Sequence, residues 1–269
     1  MLKLYQFPRP KNSLSHSHYC TKLELYLKMA QIPYENIYTL DFSRNPKKQM
    51  PYIELDNIIL GDSSFIIDKL VSKFGDKVDF WLTAEQKAVA KSFQRLLENH
   101  LSIIMMYFRW VYPQGWKQFK EIIFAKAPKI VKFLVANRLG KKISRRLEQQ
   151  AAIRTFSIDE LLNRAQVDLD ALSDYLGDKP YIFGDKPSSL DALLFGVFGT
   201  IVFVNINTPL KELAGKGAVV GSAAGNAAKA VWGAKGNAFR WLRERGSKAT
   251  NLIGTGFSDR KSTRLNSSH

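Results

Sequence analysis

Two short stretches of this 269-residue chain carry residue types and spacings from which a binding site can be built. In the first, Met50 to Leu70, Pro51 opens a strand pattern through Tyr52, Ile53, Glu54 and Leu55. A proline is tolerated there at a strand's first residue, on an edge, or as a cis bond at a tight turn. A cis Met50–Pro51 bond would turn the Met50 N–H and C=O outward, ready to pair with an extended ligand as an added strand. Asn57 then makes a turn and Ile58 to Leu60 return as a second strand. Asp62-Ser63 follow Gly61, where the helical pattern Phe65, Ile66, Ile67, Leu70 begins. Ser63 thus stands at a helix N-terminus, where unpaired N–H groups and the helix dipole attract a carboxylate. Together these positions describe a site that holds a peptide by its backbone. A plainer reading is equally open: Ser63 and Ser64 cap a helix and do no more.

The second stretch is the loop that ends in Ser17-His18-Tyr19-Cys20. Ser13, Ser15 and Ser17 offer hydroxyls, His16 and His18 could protonate or orient a substrate, and Tyr5 lies just before the loop. Tyr5 reads as core and the two histidines as exposed loop residues. Cys20, one turn inside the next helix, reads as a small buried apolar residue. A metal on His16, His18 and Cys20 lacks a fourth ligand at close spacing.

These residues need a frame. Lys3 to Phe7 supply a first strand and Pro8, Pro10, Asn12 and Ser13 a loop. Leu23, Tyr26, Leu27 and Ala30 give the apolar face of a helix that Ile32-Pro33 ends, and Ile37 to Leu40 a second strand. The order strand, helix, strand, strand, strand, helix is the thioredoxin-like layout, expected over residues 1–77. Residues 78–213 read as all-helical. Thr83-Ala84-Glu85-Gln86 is a capping box whose helix is expected to run through Leu96, Leu97, Leu101, Ile104, Met105 and Phe108 until Pro113 stops it. Further helices are expected across Trp116–Leu139, Ser157–Leu176 and Leu190–Val204, the last opened by a second box, Ser188-Ser189-Leu190-Asp191.

Composition narrows the setting. With 45% apolar residues the chain can bury one large core or two modest ones. One cysteine excludes an internal disulfide framework or a multi-cysteine zinc site and fits a reducing compartment. The first residues lack the apolar core of a signal peptide, and the longest apolar run, Leu193 to Val204, is too short to span a bilayer. A soluble, cytoplasmic protein is the expectation.

The net charge of +16 is local. Residues 216–269 carry ten Lys/Arg and two acids, and residues 117–154 eleven Lys/Arg and two acids, leaving the rest close to neutral. One basic face follows, around Lys141-Lys142 and Arg145-Arg146, suited to anionic lipid, to an acidic partner or to plain solvation. No aromatic-and-basic reading motif accompanies it, so nucleic acid is not expected as a partner.

Ser17-His18-Tyr19-Cys20 resembles the Cys-Pro-Tyr-Cys of glutaredoxins with serine for the first cysteine. Disulfide exchange needs a thiolate there, so reductase chemistry is not expected. The strand-opening proline, the hairpin and Asp62-Ser-x-x-Ile66-x-x-x-Leu70 resemble the thioredoxin-like half of glutathione transferases, and the Ser188-to-Asp191 box resembles a helix start in that family's second domain, where the aspartate has a folding role. The run 177–192, with Cys20 to Ala30 and Asp62 to Asp68, is similar to the failed-axon-connections and metaxin branch, over residues 1 to about 213.

The resemblance implies an α/β thioredoxin-like N-terminal domain followed by an all-α C-terminal domain. It implies glutathione as co-substrate, its cysteinyl backbone paired with Met50 before a cis Pro51 and its γ-glutamyl end held by Asp62 and Ser63. Asp62 is shorter than the Glu or Gln usual in that place. Ser17 is implied as the catalytic hydroxyl, donating a hydrogen bond to the glutathione thiolate. A thiol of pKa about 8.5 is a few per cent ionised at neutral pH, and a shift of about two units, roughly 2.7 kcal/mol, makes it largely thiolate. An electrophile would bind against the helical domain, and a homodimer is implied. The metaxin side implies a competing role: a non-catalytic adaptor that binds a protein partner or an anionic membrane surface through 117–154. Residues 214–269 depart from the family as a basic, Gly/Ala-rich tail, and Asp259 to His269 read as adapter-derived sequence, excluded from fold reasoning.

Overall fold

The computed structural model describes residues 1–10, 14–125 and 127–216. Ser13 and the tail beyond Lys216 lie outside the described residues.

The first half is a four-stranded sheet in the order β2-β1-β3-β4, with β1 Leu2–Gln6, β2 Tyr34–Tyr38, β3 Tyr52–Leu55 and β4 Ile58–Gly61. β1 runs parallel to β2 and antiparallel to β3, and β3 antiparallel to β4. The β3–β4 hairpin turns on Asp56 and Asn57, both at positive φ, the backbone that matches the strand twist in a two-residue turn. The second strand starts earlier than the expected Ile37 to Leu40: Pro33 ends the helical stretch, and the chain goes straight into register with Leu2 opposite Tyr34. Leu40 lies beyond the strand, 70% exposed.

Helices α1 His18–Met29 and α2 Ser63–Phe74 complete this half. Leu2, Leu4, Ile53 and Leu55 of the sheet meet Leu23, Tyr26 and Leu27 of α1 and Ile66 and Leu70 of α2 in one cluster. α1 is buried on its other side too, where Leu25 packs on Ala192 and Phe195 of α8 (Ser189–Val202). A helix sandwiched in this way buries residues nearly all round, and in α1 these include Thr21, Lys22 and Glu24 beside Leu23, Leu25 and Leu27.

The second half is helical. α3 Ala84–Leu96 starts at the Thr83/Gln86 capping box, passes through a π-helical turn at Leu97–Leu101 and continues as α4 Ser102–Trp110. Pro113 does not stop this helix, which has already ended; it occupies the first turn of α5 Pro113–Ile123, where a missing N–H costs nothing. The single helix expected across Trp116–Leu139 is two, because Pro128 cannot continue a helix: α5 ends at Ile123 and α6 spans Lys129–Ala151. A 3₁₀ turn at Ile153–Thr155 leads to α7 Ile158–Leu176, capped by Ser157, then α8 and α9 Pro209–Lys216, a helix the sequence reading did not foresee. The core gathers Leu97, Leu101, Ile104 and Phe108 against Leu161, Leu172, Val197 and Phe198.

Candidate functional site

The Met50–Pro51 peptide is cis. The Met50 side chain packs with Tyr5, Cys20 and Tyr52, and among the described residues nothing pairs with its main-chain N–H or C=O. The loop leading to it is pinned by Asn45, fully buried, whose Nδ2 donates to the Gln49 carbonyl at 2.7 Å. Asn45 was missed from sequence; its signal is an Asn-Pro pair in the loop before the strand-opening proline.

Asp62 is the N-cap of α2. Its Oδ1 accepts from the Ser64 N–H at 2.9 Å and the Phe65 N–H at 3.4 Å, while Oδ2 has only Lys47 Nζ at 3.9 Å and the side chain is 39% exposed. Ser63 is the first helical residue, buried, and its N–H has no protein partner among the described residues. Two helix-start donors are thus capped and one points onward, beside a carboxylate oxygen with spare capacity.

Ser64 anchors this corner from below. Its hydroxyl accepts from Lys22 Nζ at 3.1 Å and Gln94 Nε2 at 2.8 Å, and Lys22 forms a buried ion pair with Glu98 at 2.8 Å. Gln94 Nε2 also donates to Glu98 Oε2 at 3.0 Å. These groups tie α1, α2, α3 and the π-helical turn together under the α2 N-terminus. Sequence reasoning missed Lys22 and Glu98; the visible signal is a lysine between apolar residues of α1 and a Gln94/Glu98 pair at i, i+4.

Ser17 is the N-cap of α1 and only partly buried. Its Oγ accepts from the Cys20 N–H at 3.4 Å, and its own N–H donates to the Oγ of buried Ser15 at 3.1 Å. The Ser17 and Ser15 hydroxyls and the Phe7 N–H all face the Cys20 sulfur, yet burial pushes that thiol up to about 11, so it is no nucleophile at neutral pH. Tyr5 is held elsewhere: it stacks on Tyr52 with ring centroids 4.4 Å apart and donates to Glu54 Oε2 at 2.9 Å.

The histidines are not the exposed loop residues expected. His18 is buried as the first residue of α1, because the loop is pressed onto α8 at Gly196, where a Cβ would meet the His18 carbonyl at 2.7 Å. Buried Arg109 of α4 donates to the His16 carbonyl at 2.8 Å and the Thr200 carbonyl at 2.6 Å. Burial, with the Arg109 charge behind it, lowers His16 to about 4 and His18 to about 3. Both are neutral near pH 7 and cannot serve as general acids there. Tyr19, by contrast, is a residue the sequence reading passed over. Burial first, then the charges of Glu98 and Asp62, keep its phenol protonated, while Arg146 of α6 opposes them. Tyr19 therefore lies in the field of Asp62, and Cys20 against Met50, so the start of α1 joins the two stretches picked out above. Among the described residues no cluster of His, Cys, Asp and Glu could hold a metal ion, and no helix is long and apolar enough to cross a membrane.

A family model described as "Glutathione S-transferase N-terminal domain" matches residues 18–115, and one described as "Glutathione S-transferase, C-terminal domain" matches residues 165–216. The chain is similar to Failed axon connections of Drosophila melanogaster, 34% identical over 222 residues, 79% of this chain and 53% of that protein, so it spans about half that relative's length. It is similar to the isoprene-epoxide–glutathione S-transferase of Rhodococcus sp. (strain AD45), 37% identical over 197 residues, 66% of this chain and 77% of that enzyme. Human Metaxin-2 is 24% identical over 206 residues, 71% of this chain and 73% of that protein. The solved structure of glutathione S-transferase unclassified 2 from Bombyx mori shares the fold, with a TM-score of 0.55 at 15% identity over 94% of this chain and 98% of that one. Two domain matches in order, with the Rhodococcus relative behind them, lead to one conclusion: the chain belongs to the glutathione S-transferase family, with relatives in its Failed axon connections and metaxin branch.

Proposed function

We propose that the chain binds glutathione at this corner and conjugates it to a small electrophile. The observation that carries the reading is a set of groups with capacity to spare: the Met50 N–H and C=O and the Ser63 N–H, unpaired among the described residues, and Asp62 Oδ2, whose partner there is Lys47 Nζ at 3.9 Å. An extended peptide pairs with Met50 as with a strand edge, its γ-glutamyl carboxylate takes the Ser63 end of α2, and its ammonium takes Asp62. Ser17 supplies the hydroxyl for the sulfur. As a cap it uses a lone pair, so its proton is available, and an arriving thiolate is a stronger acceptor than the neutral Cys20 thiol. The glutathione thiol gives its proton to solvent water, and the thiolate forms an S–C bond to the electrophile's carbon as the bond from that carbon to the leaving group breaks or, in an epoxide, as the ring C–O bond breaks and the freed oxygen takes a proton from water. The Rhodococcus relative's name supports an electrophile of the epoxide class. A cytoplasmic setting, a dimer and a division of the chain near residues 77 and 213 belong to the same reading.

Calorimetry with glutathione tests it. Binding that is lost in Asp62→Ala/Ser63→Ala supports the site, and Ser17→Ala is then expected to lower kcat about 10²- to 10³-fold with KM little changed, the scale of one lost oxyanion donor. No binding at millimolar glutathione by the folded chain overturns it. The second reading, a non-catalytic adaptor, is favoured by the metaxin relatives. It predicts that Ser17→Ala is silent.

A further inference from the structure

We propose that the outer face of α6 docks on an anionic lipid bilayer, a role separate from the glutathione chemistry and independent of it. Ile130, Leu134, Arg138, Lys141, Lys142 and Arg145 lie at i, i+4, i+8, i+11, i+12 and i+15, which places them on one side of the helix. The opposite side carries the buried Ala136, Gly140 and Leu147, so the helix is held to the body by that stripe and turns the six residues to solvent. Ile130 is 75% and Leu134 58% exposed, far more than a core-facing residue of a long helix tolerates. The four cations are exposed, and among the described residues none has a salt-bridge partner. The helix's one acid, Glu148, accepts from the Arg154 N–H instead.

The axial order favours a bilayer over an acidic protein. The apolar pair sits at the N-terminal end and the cations follow. Leu134 and Lys142 are eight residues apart, about 12 Å along the axis. With the helix inclined about 30° to the membrane plane, that separation becomes roughly 6 Å of depth, the thickness of one headgroup layer. The apolar end then reaches the acyl boundary while the cations stay at the phosphates, which is how interfacial helices bind. A protein partner would need a pocket for Ile130 and Leu134 and acids spaced over the next three turns.

The test is flotation of the full chain with vesicles of phosphatidylcholine alone or with 30% phosphatidylserine. Binding to the anionic vesicles only, weakening as salt rises, is expected. Each cation near the surface is worth about fivefold, so Arg138→Glu/Lys141→Glu/Lys142→Glu/Arg145→Glu is expected to lose binding at least a hundredfold. Ile130→Ser/Leu134→Ser is expected to lose the part that resists salt. If the fourfold variant is misfolded by circular dichroism, Arg138→Gln/Lys142→Gln serves, with a loss of about twentyfold. Unchanged binding in the charge variants would show that other basic residues, such as those of the tail, do the work, and overturns the proposal. So does capture by soluble poly-glutamate with no binding to anionic vesicles.

Discussion

Helices α2 and α8 both open with a serine and an aspartate, and they use the pair differently. At α8 the Asp191 carboxylate is buried and spent: it accepts from the Ile182 N–H at 3.0 Å, the Ser188 N–H at 2.8 Å and the Ser188 hydroxyl at 2.6 Å. At α2 Asp62 spends one oxygen on the cap and leaves the other half-exposed, 3.9 Å from Lys47. The residue types are the same, but Asp62 is the N-cap of α2 whereas Asp191 stands three residues after the N-cap Ser188 of α8, and position and burial together separate the roles. A cap whose oxygens are all consumed can only hold the fold, whereas one with an oxygen to spare can also hold a ligand.

The open cap depends on a closed support, and breaking that support gives the largest expected effect. Glu98→Ala leaves Lys22 buried without its counter-charge beneath Ser64, at a cost of about 3–5 kcal/mol in chemical denaturation. A loss below 1 kcal/mol would mean that the pair is not desolvated. Next comes Asp191→Ala, which strands the Ile182 and Ser188 N–H groups in a buried setting and is expected to cost about 2–4 kcal/mol. The same change at Asp62 is expected to cost about 1 kcal/mol. Equal losses at the two caps would erase the contrast.

Much of this was legible in sequence because it is local. The strand-opening Pro51, the turn at Asn57, the Thr83 and Ser188 boxes and the Ser17 helix start are each decided within four residues. What escaped depends on distant partners. His16 and His18 looked like loop histidines until α8 and Arg109 covered them. Lys22 and Glu98, 76 positions apart, were missed because nothing local to either residue shows the pairing. Pro113 was seen as punctuation and Pro128 was passed over, and whether a proline ends one helix or begins the next depends on where the preceding turn has already ended.

The buried histidines make a prediction of intermediate size. An unfolded histidine protonates below about 6.5, whereas folded His18 stays neutral down to about 3. The unfolded chain therefore binds the proton first as pH falls, and stability that is complete above pH 6.5 declines toward pH 3, by up to about 1.4 kcal/mol per pH unit for this residue. About 2 kcal/mol is expected to vanish between pH 6.5 and 4.5. His16, lowered to about 4, adds in the same direction over the upper part of that window. Denaturation at the two pH values in the parent chain and in His18→Gln checks this, since the variant should show a visibly shallower decline. A variant as steep as the parent would place the acid sensitivity elsewhere.

The smallest expected change in stability is also the sharpest test of the contrast. Asparagine caps a helix about as well as aspartate, so Asp62→Asn keeps the Oδ1 contacts to Ser64 and Phe65 and is expected to shift the unfolding free energy by less than about 0.5 kcal/mol. What it removes is the charge on the free side of the cap. A charge-assisted hydrogen bond to a ligand ammonium is worth about 1.5–3 kcal/mol, so glutathione affinity is expected to fall about ten- to a hundredfold in calorimetry, with the fold intact. Asp191→Asn should behave in the opposite sense. Its amide would place a donor against the Ser188 or Ile182 N–H, losing stability and leaving affinity unchanged wherever the protein still folds. If Asp62→Asn binds glutathione as tightly as the parent chain, the exposed oxygen is not part of a site, and the two caps differ only in how much water they see.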